Sequence, residues 1–179
     1  EGTVAVDLAG LHLGPADASL LAGLIRSGAR ALAGAVSLSV LGNPAMGAEG
    51  VQTLVGAVEQ TPSVVSLVGV LEGQRILNLS GKGLGPVDAE VLTAEFRLGR
   101  ESARLTVLDV SRNSLFPAGV VGIGDSSTLA AAGGGGGKTK GPLAASAAEG
   151  QAQQLLGALQ RSTCLERLDL SESGMRAED

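Results

Sequence analysis

The segment Leu8–Gly28, LAGLHLGPADASLLAGLIRSG, returns at Leu79–Gly99 as LSGKGLGPVDAEVLTAEFRLG, and this duplication at a spacing of 71 residues constrains the fold more than any single motif. Leu8, Gly10, Leu13, Gly14, Pro15, Asp17, Ala18, Leu21, Arg26 and Gly28 keep their identity one period later. Turn formers and apolar residues are preserved together, so what repeats is a structural unit and not a composition. LSVLGN at Leu38–Asn43 matches LDVSRN at Leu108–Asn113 at a spacing of 70, and LVGAV at Leu54–Val58 matches LLGAL at Leu155–Leu159 at a spacing of 101. The surplus of 31 residues places an insertion between Phe116 and about Ala147.

A shorter pattern runs inside each unit. LTVLDVSRNSL carries Leu105, Leu108, Val110, Asn113 and Leu115, and LERLDLSESGM carries Leu165, Leu168, Leu170, Ser173 and Met175 at the same spacing. Strand side chains alternate, which predicts Leu108 and Val110 inward and Asp109 and Ser111 outward. Partial copies run through Val6, Leu8, Leu11 and Leu13, through Leu38, Val40, Asn43 and Met46, and through Leu77, Leu79, Lys82 and Leu84. A weaker strand over Val64, Leu67 and Val70 stands too close to the next for a helix to fit between them. Between the other strands lie stripes of helical period: Leu20, Leu21, Leu24 and Ile25; Val51, Leu54, Val55 and Val58; Val91, Leu92 and Phe96; Leu155, Leu156 and Leu159. Gly28 and Gly99 follow two of these stripes, where a helix C-terminus favours a left-handed residue.

Both full copies fit L-x-x-L-x-L-x-x-N-x-L, and with the long helical spacers the chain resembles leucine-rich-repeat proteins of the ribonuclease-inhibitor-like subclass, over about Thr3–Phe116 and from Ala148 onward. The resemblance implies an α/β leucine-rich-repeat solenoid, a horseshoe segment with a parallel β-sheet on its concave face and α-helices on its convex face. It implies a single domain over residues 1–179, interrupted by a glycine-rich insertion at about 117–147. The family's Asn position is held by Asn43 and Asn113, whose amides are expected to satisfy turn backbone groups. It is departed from at Leu11, Lys82 and Ser173, whose loops must be capped otherwise. Stacking is also what the physics requires, because a strand with one apolar face and a helix with one apolar stripe cannot bury both alone. The sequence opens on Glu1 and the pattern stops in mid-unit at Asp179, so a fragment of a longer protein is expected.

Composition narrows the function. Lys and Arg number 13 against 18 Asp and Glu, a net charge of −5 with no basic run to track phosphates, so nucleic acid is not an expected partner. Two Phe are the whole aromatic complement, which removes base-stacking platforms and aromatic clamps. The uncharged run Ala31–Ala48 holds Gly34, Ser37, Ser39, Gly42, Asn43 and Pro44, and reads as a strand and turn instead of a membrane span. Cys164 is the lone cysteine; it fits a reducing, cytoplasmic setting and is expected to be a small buried filler. The insertion contains Gly133–Gly137 and is expected to be a disordered loop. Within it, AGGGGGKT at Ala132–Thr139 fits a phosphate-binding P-loop if the first Gly is relaxed to Ala. LAAA before it lacks β-branched residues and Pro142 follows it, against the strand and helix such a loop needs. His12, the only histidine, is expected in a solvated turn and leaves no Ser-His-Asp triad and no histidine cluster for a metal. No cofactor, metal or catalysis is expected.

The outward strand position recurs as Asp7, Ser39, Asn78, Asp109 and Asp169, with Ser111, Arg112 and Arg167 beside it. These residues are the candidate partner-binding set on the concave face. The same polarity would also serve merely to keep the sheet soluble. If the row binds, its acidity favours a basic protein surface, although Arg112 and Arg167 interrupt the sign. The expected function is a non-enzymatic protein–protein interaction scaffold. Two rival readings stand beside it: a GTPase-activating regulator of a small GTPase, since Ran GTPase-activating proteins share the repeat subclass, and nucleotide binding by Ala132–Thr139. A fourth is a structural part of a larger receptor.

Overall fold

The computed structural model describes residues 3–28, 36–116, 120–121, 143–173 and 175–176. Along them run β1 (Val4–Asp7), α1 (Pro15–Arg26), β2 (Val36–Ser39), α2 (Gly47–Glu59), β3 (Val64–Ser66), β4 (Ile76–Asn78), α3 (Pro86–Leu98), β5 (Val107–Asp109), β6 (Val120–Val121), α4 (Leu143–Leu159), β7 (Arg167–Asp169) and β8 (Met175–Arg176). The arrangement is mixed α/β with short parallel strands and no closed sheet. Strands β1, β2 and β3 form one sheet in that order, β4, β5 and β7 a second, and β6 and β8 a pair. Parallel neighbours cannot be joined by a tight turn. The helices α1, α2, α3 and α4 therefore carry the chain back between paired strands. Where the first three-stranded sheet gives way to the second, β3 passes to β4 without an α-helix, as the close spacing predicts, and β3 and β4 do not pair.

Gly-Pro-x-Asp opens both α1 and α3. A proline at the first helical position has no N–H to leave unsatisfied. Asp17 and Asp88 turn back to accept the N–H of Gly14 at 2.9 Å and of Gly85 at 2.8 Å. Helix α3 ends on Gly99 at φ 61°, in the left-handed region expected of it. One apolar cluster then runs through both sheets, including Leu38, Leu54, Leu67, Leu92, Leu105, Leu108 and Leu155. Each such buried side chain contributes about 1.5–3 kcal/mol. The stripe expected on α1 is corrected: Leu20 and Leu24 are 71% and 54% exposed, and the buried face is Ala18, Ala22 and Ile25. Packing against α2 is tight at one crossing, where a Cβ at Gly50 would lie 3.2 Å from the Cβ of Ala18, so only a small residue fits there.

Two further expectations change in the span 117–147. Val120–Val121 pairs with Met175–Arg176, and α4 already begins at Leu143, where LAASAA has strong helix propensity. The rest of that span, with Gly133–Gly137 and the motif Ala132–Thr139, lies outside the described residues.

The turn after each strand is where the units are joined. The N–H groups of Leu8, Val40, Leu79 and Val110 donate to the carbonyls of Ser39 (2.8 Å), Leu67 (3.1 Å), Asp109 (2.7 Å) and Asp169 (2.9 Å), each one strand further along. Asn43 and Asn113 reach the other way. The Nδ2 of Asn43 donates to its own turn at Val40 and to Leu8, both at 2.9 Å, while its Oδ1 accepts the N–H of Leu13 at 3.0 Å. Asn113 repeats this with Val110 and Leu79, both 2.9 Å, and with Leu84 at 3.1 Å. Both amides are buried, so each links two turns in a medium where no water could replace it.

At β3 the regular exchange fails, because no strand pairs on its far side. Helix α3 and Arg100, just past its end, supply the missing partners. Glu95 Oε2 accepts the N–H of Leu67 at 2.6 Å, Asp88 Oδ1 accepts that of Gly42 at 2.6 Å, and Arg100 donates to the carbonyls of Val58 (2.8 Å), Thr61 (3.2 Å) and Val64. Burial pushes the Glu95 carboxyl above the ordinary glutamate range. The Leu67 N–H, the side chains of Ser66 and Ser102, and the Arg100 charge act against this without cancelling it. Its Oε1 has no hydrogen-bond partner.

Asn113→Ala leaves the buried Leu84 N–H without an acceptor and should cost about 1–3 kcal/mol. Asn78→Ala, which loses one exposed turn bond, should cost less, and urea unfolding of the two variants compares them. For Glu95 the native state holds its proton more tightly than the unfolded chain. Its contribution is therefore complete below the ordinary glutamate pKa and is lost as pH rises through the raised value. Glu95→Gln keeps an acceptor for Leu67 and removes the charge. Between about pH 4 and about pH 8 it should lose less stability than the parent chain, and parallel curves would rule this out.

Candidate binding face at the strand ends

The outward residue at each strand end has a local task. The Oδ1 atoms of Asp7, Asn78, Asp109 and Asp169 accept the N–H two residues on, from Ala9 (3.0 Å), Ser80 (2.9 Å), Ser111 (3.0 Å) and Ser171 (3.0 Å). Short oxygen-bearing side chains favour this closure of a turn. The chain then passes through a left-handed residue: Gly10, Gly42, Gly81, Arg112 and Glu172 have φ between 54° and 71°. Ser171 Oγ adds a second bond to Asp169 Oδ1 at 2.7 Å. That hydroxyl and then the Ser171 N–H hold the Asp169 carboxyl below the usual aspartate range; burial opposes them, and the charges of Arg167 and Arg112 add a lesser lowering effect.

The register gathers these positions into two rows. Asp7 stands opposite Ser39 on the first sheet, and Asn78, Asp109 and Asp169 stand side by side on the second. Asp7, Asn78, Arg112 and Arg167 are exposed, and Ser39, Asp109 and Asp169 are half-buried. Ser111 departs from expectation. It is buried, with its Oγ 2.7 Å from Asp109 Oδ1 and 2.9 Å from Ser80 Oγ, because the left-handed turn at Arg112 carries the chain inward. Ser111 therefore supports Asp109 from below and does not line the face.

A groove of about 550 Å³ lies between the turns after β1 and β2 and the turn after β4, lined by Asp7, His12 and Ser39 on one side and by Leu79, Lys82 and Asp88 on the other. His12 sits in an exposed turn, as expected, at φ 58°. Lys82 is exposed, while Asp88 is buried and engaged by Gly42 and Gly85. The participation of His12, Lys82 and Asp88 was not readable beforehand, because it depends on how the second sheet starts. Cys164 is exposed, a correction of the buried filler expected; it lies in the turn before β7, where Leu165 takes the inner position. Among the described residues no group of His, Cys, Asp or Glu is placed to hold a metal ion, and no helix is long and apolar enough to cross a membrane.

The hydroxyl of Ser171 is the leading cause of the Asp169 shift, so Ser171→Ala should raise the carboxyl midpoint toward the ordinary aspartate value in a carbon-detected NMR titration. An unmoved midpoint would assign the shift to the two arginines instead. Compared with known proteins, the chain matches no family model, no curated protein and no solved structure.

Proposed function

We propose that the chain is a non-enzymatic protein-interaction scaffold. It is a leucine-rich-repeat segment of the ribonuclease-inhibitor-like type, built as one domain, whose strands line a concave face that receives a protein partner. The contact set is Asp7, Ser39, Asn78, Asp109, Arg112, Arg167 and Asp169, with Ser111 as a buried support. One observation carries the reading. Asp7, Asp109 and Asp169 use the same carboxylate oxygen to close their turns, and the described residues give the second oxygen no partner. Asp7 borders a groove and Asp109 and Asp169 stand side by side on the second sheet, an arrangement that suits Lys or Arg side chains of a basic partner. Exposed ion pairs contribute only about 0.2–1 kcal/mol each, so the face would work by many weak contacts and by steering approach, with affinity falling as salt rises. A cytoplasmic setting accords with the exposed thiol.

Asparagine keeps the turn-closing oxygen and removes the charge, as Asn78 does already. Asp7→Asn, Asp109→Asn and Asp169→Asn combined should therefore leave thermal stability nearly unchanged. They should weaken a partner captured on the parent chain and purified, by about 3- to 100-fold in calorimetry at low salt. A partner bound equally by both chains at every salt concentration would remove this face from consideration.

A further inference from the structure

Alternation turns Ile76, Val107 and Arg167 outward on the second sheet, and the register stands them side by side, two residues before the row Asn78, Asp109 and Asp169. An outward position on an open sheet face is ordinarily polar. Here Ile76 is 60% exposed and Val107 half-buried, a cross-strand aliphatic pair on the face turned away from the core. Leu71, 43% exposed, is tied to the same place by one side chain: Gln74 Oε1 accepts the Leu71 N–H at 3.0 Å, while Gln74 Nε2 donates to the Ile76 carbonyl at 2.8 Å. The first sheet offers no such row. Its outward Ser37 is buried, and the chain after β3 folds back against β2 there: Val68 stands antiparallel to Ser39, and a Cβ at Gly69 would lie 3.2 Å from that of Ser39. Further units beside β1 or β7 would lengthen the sheets edgewise and leave the outward row of β4 and β5 uncovered.

We propose that Ile76 and Val107, with Leu71, are the apolar anchor of the strand-end face, and that its occupant is an extended protein segment carrying Leu, Ile or Val two residues from a Lys or Arg. This rests on the reading of that face as a protein-binding surface and names the chemistry of the partner. The spacing comes from the strands themselves. The apolar and acidic rows are two residues apart, about 7 Å at 3.3 Å per residue, which is the distance between alternate side chains of another extended chain. The order comes from charge. Arg167 ends the apolar row and opposes a cation there, whereas Asp109 and Asp169 in the next row attract one, so the aliphatic residue lies over β4 and β5 and the cation over the carboxylates. An open ion pair contributes little by itself. Covering Ile76 adds a contribution that salt does not screen, and it excludes water beside Asp109, which strengthens the ion pair next to it.

A displayed library of random peptides, selected on the full chain and followed by calorimetry of the selected peptides, tests the proposal. The consensus should pair an aliphatic residue with Lys or Arg two positions away. Leu71→Ser with Ile76→Ser, both at exposed positions, should weaken these peptides about 10- to 100-fold at low and high salt alike, with circular dichroism unchanged. Asp109→Asn with Asp169→Asn should weaken them at low salt, and less as salt rises. A second readout asks whether the row is open in the free chain. On a Cys164→Ser background, Ile76→Cys should react with a thiol reagent as fast as the exposed Cys164 of the parent, and a selected peptide should protect it. A thiol already protected in the free chain overturns the proposal, since another part of the chain then lies on the row. So does a library without binders, or a consensus whose pair stands at helical spacing. Basic peptides indifferent to Ile76→Ser overturn the anchor and leave the acidic face standing. Peptides indifferent to Asp109→Asn and Asp169→Asn remove that face as well.

Discussion

The structure depends on one recurring need: the backbone N–H immediately after each strand is carried inward and must find an acceptor one unit further along. Leu8, Val40, Leu79 and Val110 each find it in a carbonyl of the next strand or turn. A buried amide without an acceptor costs about 1–3 kcal/mol, which is a large share of the net stability of a small domain. No unit can therefore close its own turn alone, and neighbours are held at a fixed spacing. The buried amides of Asn43 and Asn113 add the reverse connection, so two turns constrain one another from both sides.

The same geometry separates two roles within one side chain. A strand-end residue needs a single oxygen to accept the N–H two residues on, and Asn78 meets that need without charge. Turn closure thus explains why Asp7, Asp109 and Asp169 are oxygen-bearing and short, but not why they are anionic. The charge is a surplus over what turn closure requires, and the described residues leave the second oxygen of each carboxylate without a partner. At Asp169 the neighbouring serine, with a lesser contribution from the two arginines, holds the carboxyl below the usual aspartate range.

Much of this was legible in the residues, and the failures have common causes. The periodic leucines located the strands, the Gly-Pro-x-Asp segments located two helix starts, and the Asn positions located the staples, because each is a local device read from spacing. Strand alternation misplaced Ser111, because alternation ends where the chain enters its left-handed turn at Arg112. Helical period misplaced Leu20 and Leu24, because apolar character does not say which flank has a neighbour, and the crossing with α2 at Ala18 admits only a small residue. Asp88, Glu95 and Arg100 were invisible for a different reason. Their partners lie 46, 28 and up to 42 residues away, brought near only by the missing helix between β3 and β4.

That irregular step is also what creates the groove. A regular array would set β4 beside β3 and continue the turn bonds across it. Here β3 ends its sheet, and a carboxylate from α3 must take the place of the absent carbonyl, buried and with one oxygen unpartnered. An apolar residue at position 95 would avoid burying an ionisable group, yet it would strand the Leu67 N–H, whose acceptor is Glu95 Oε2. Glu95 is the lesser cost. Once β4 starts afresh, its turn stands off from the turns after β1 and β2, and the space between them is the groove bordered by Asp7, Ser39 and Lys82. The feature that breaks the strand pairing is thus the one that opens the groove.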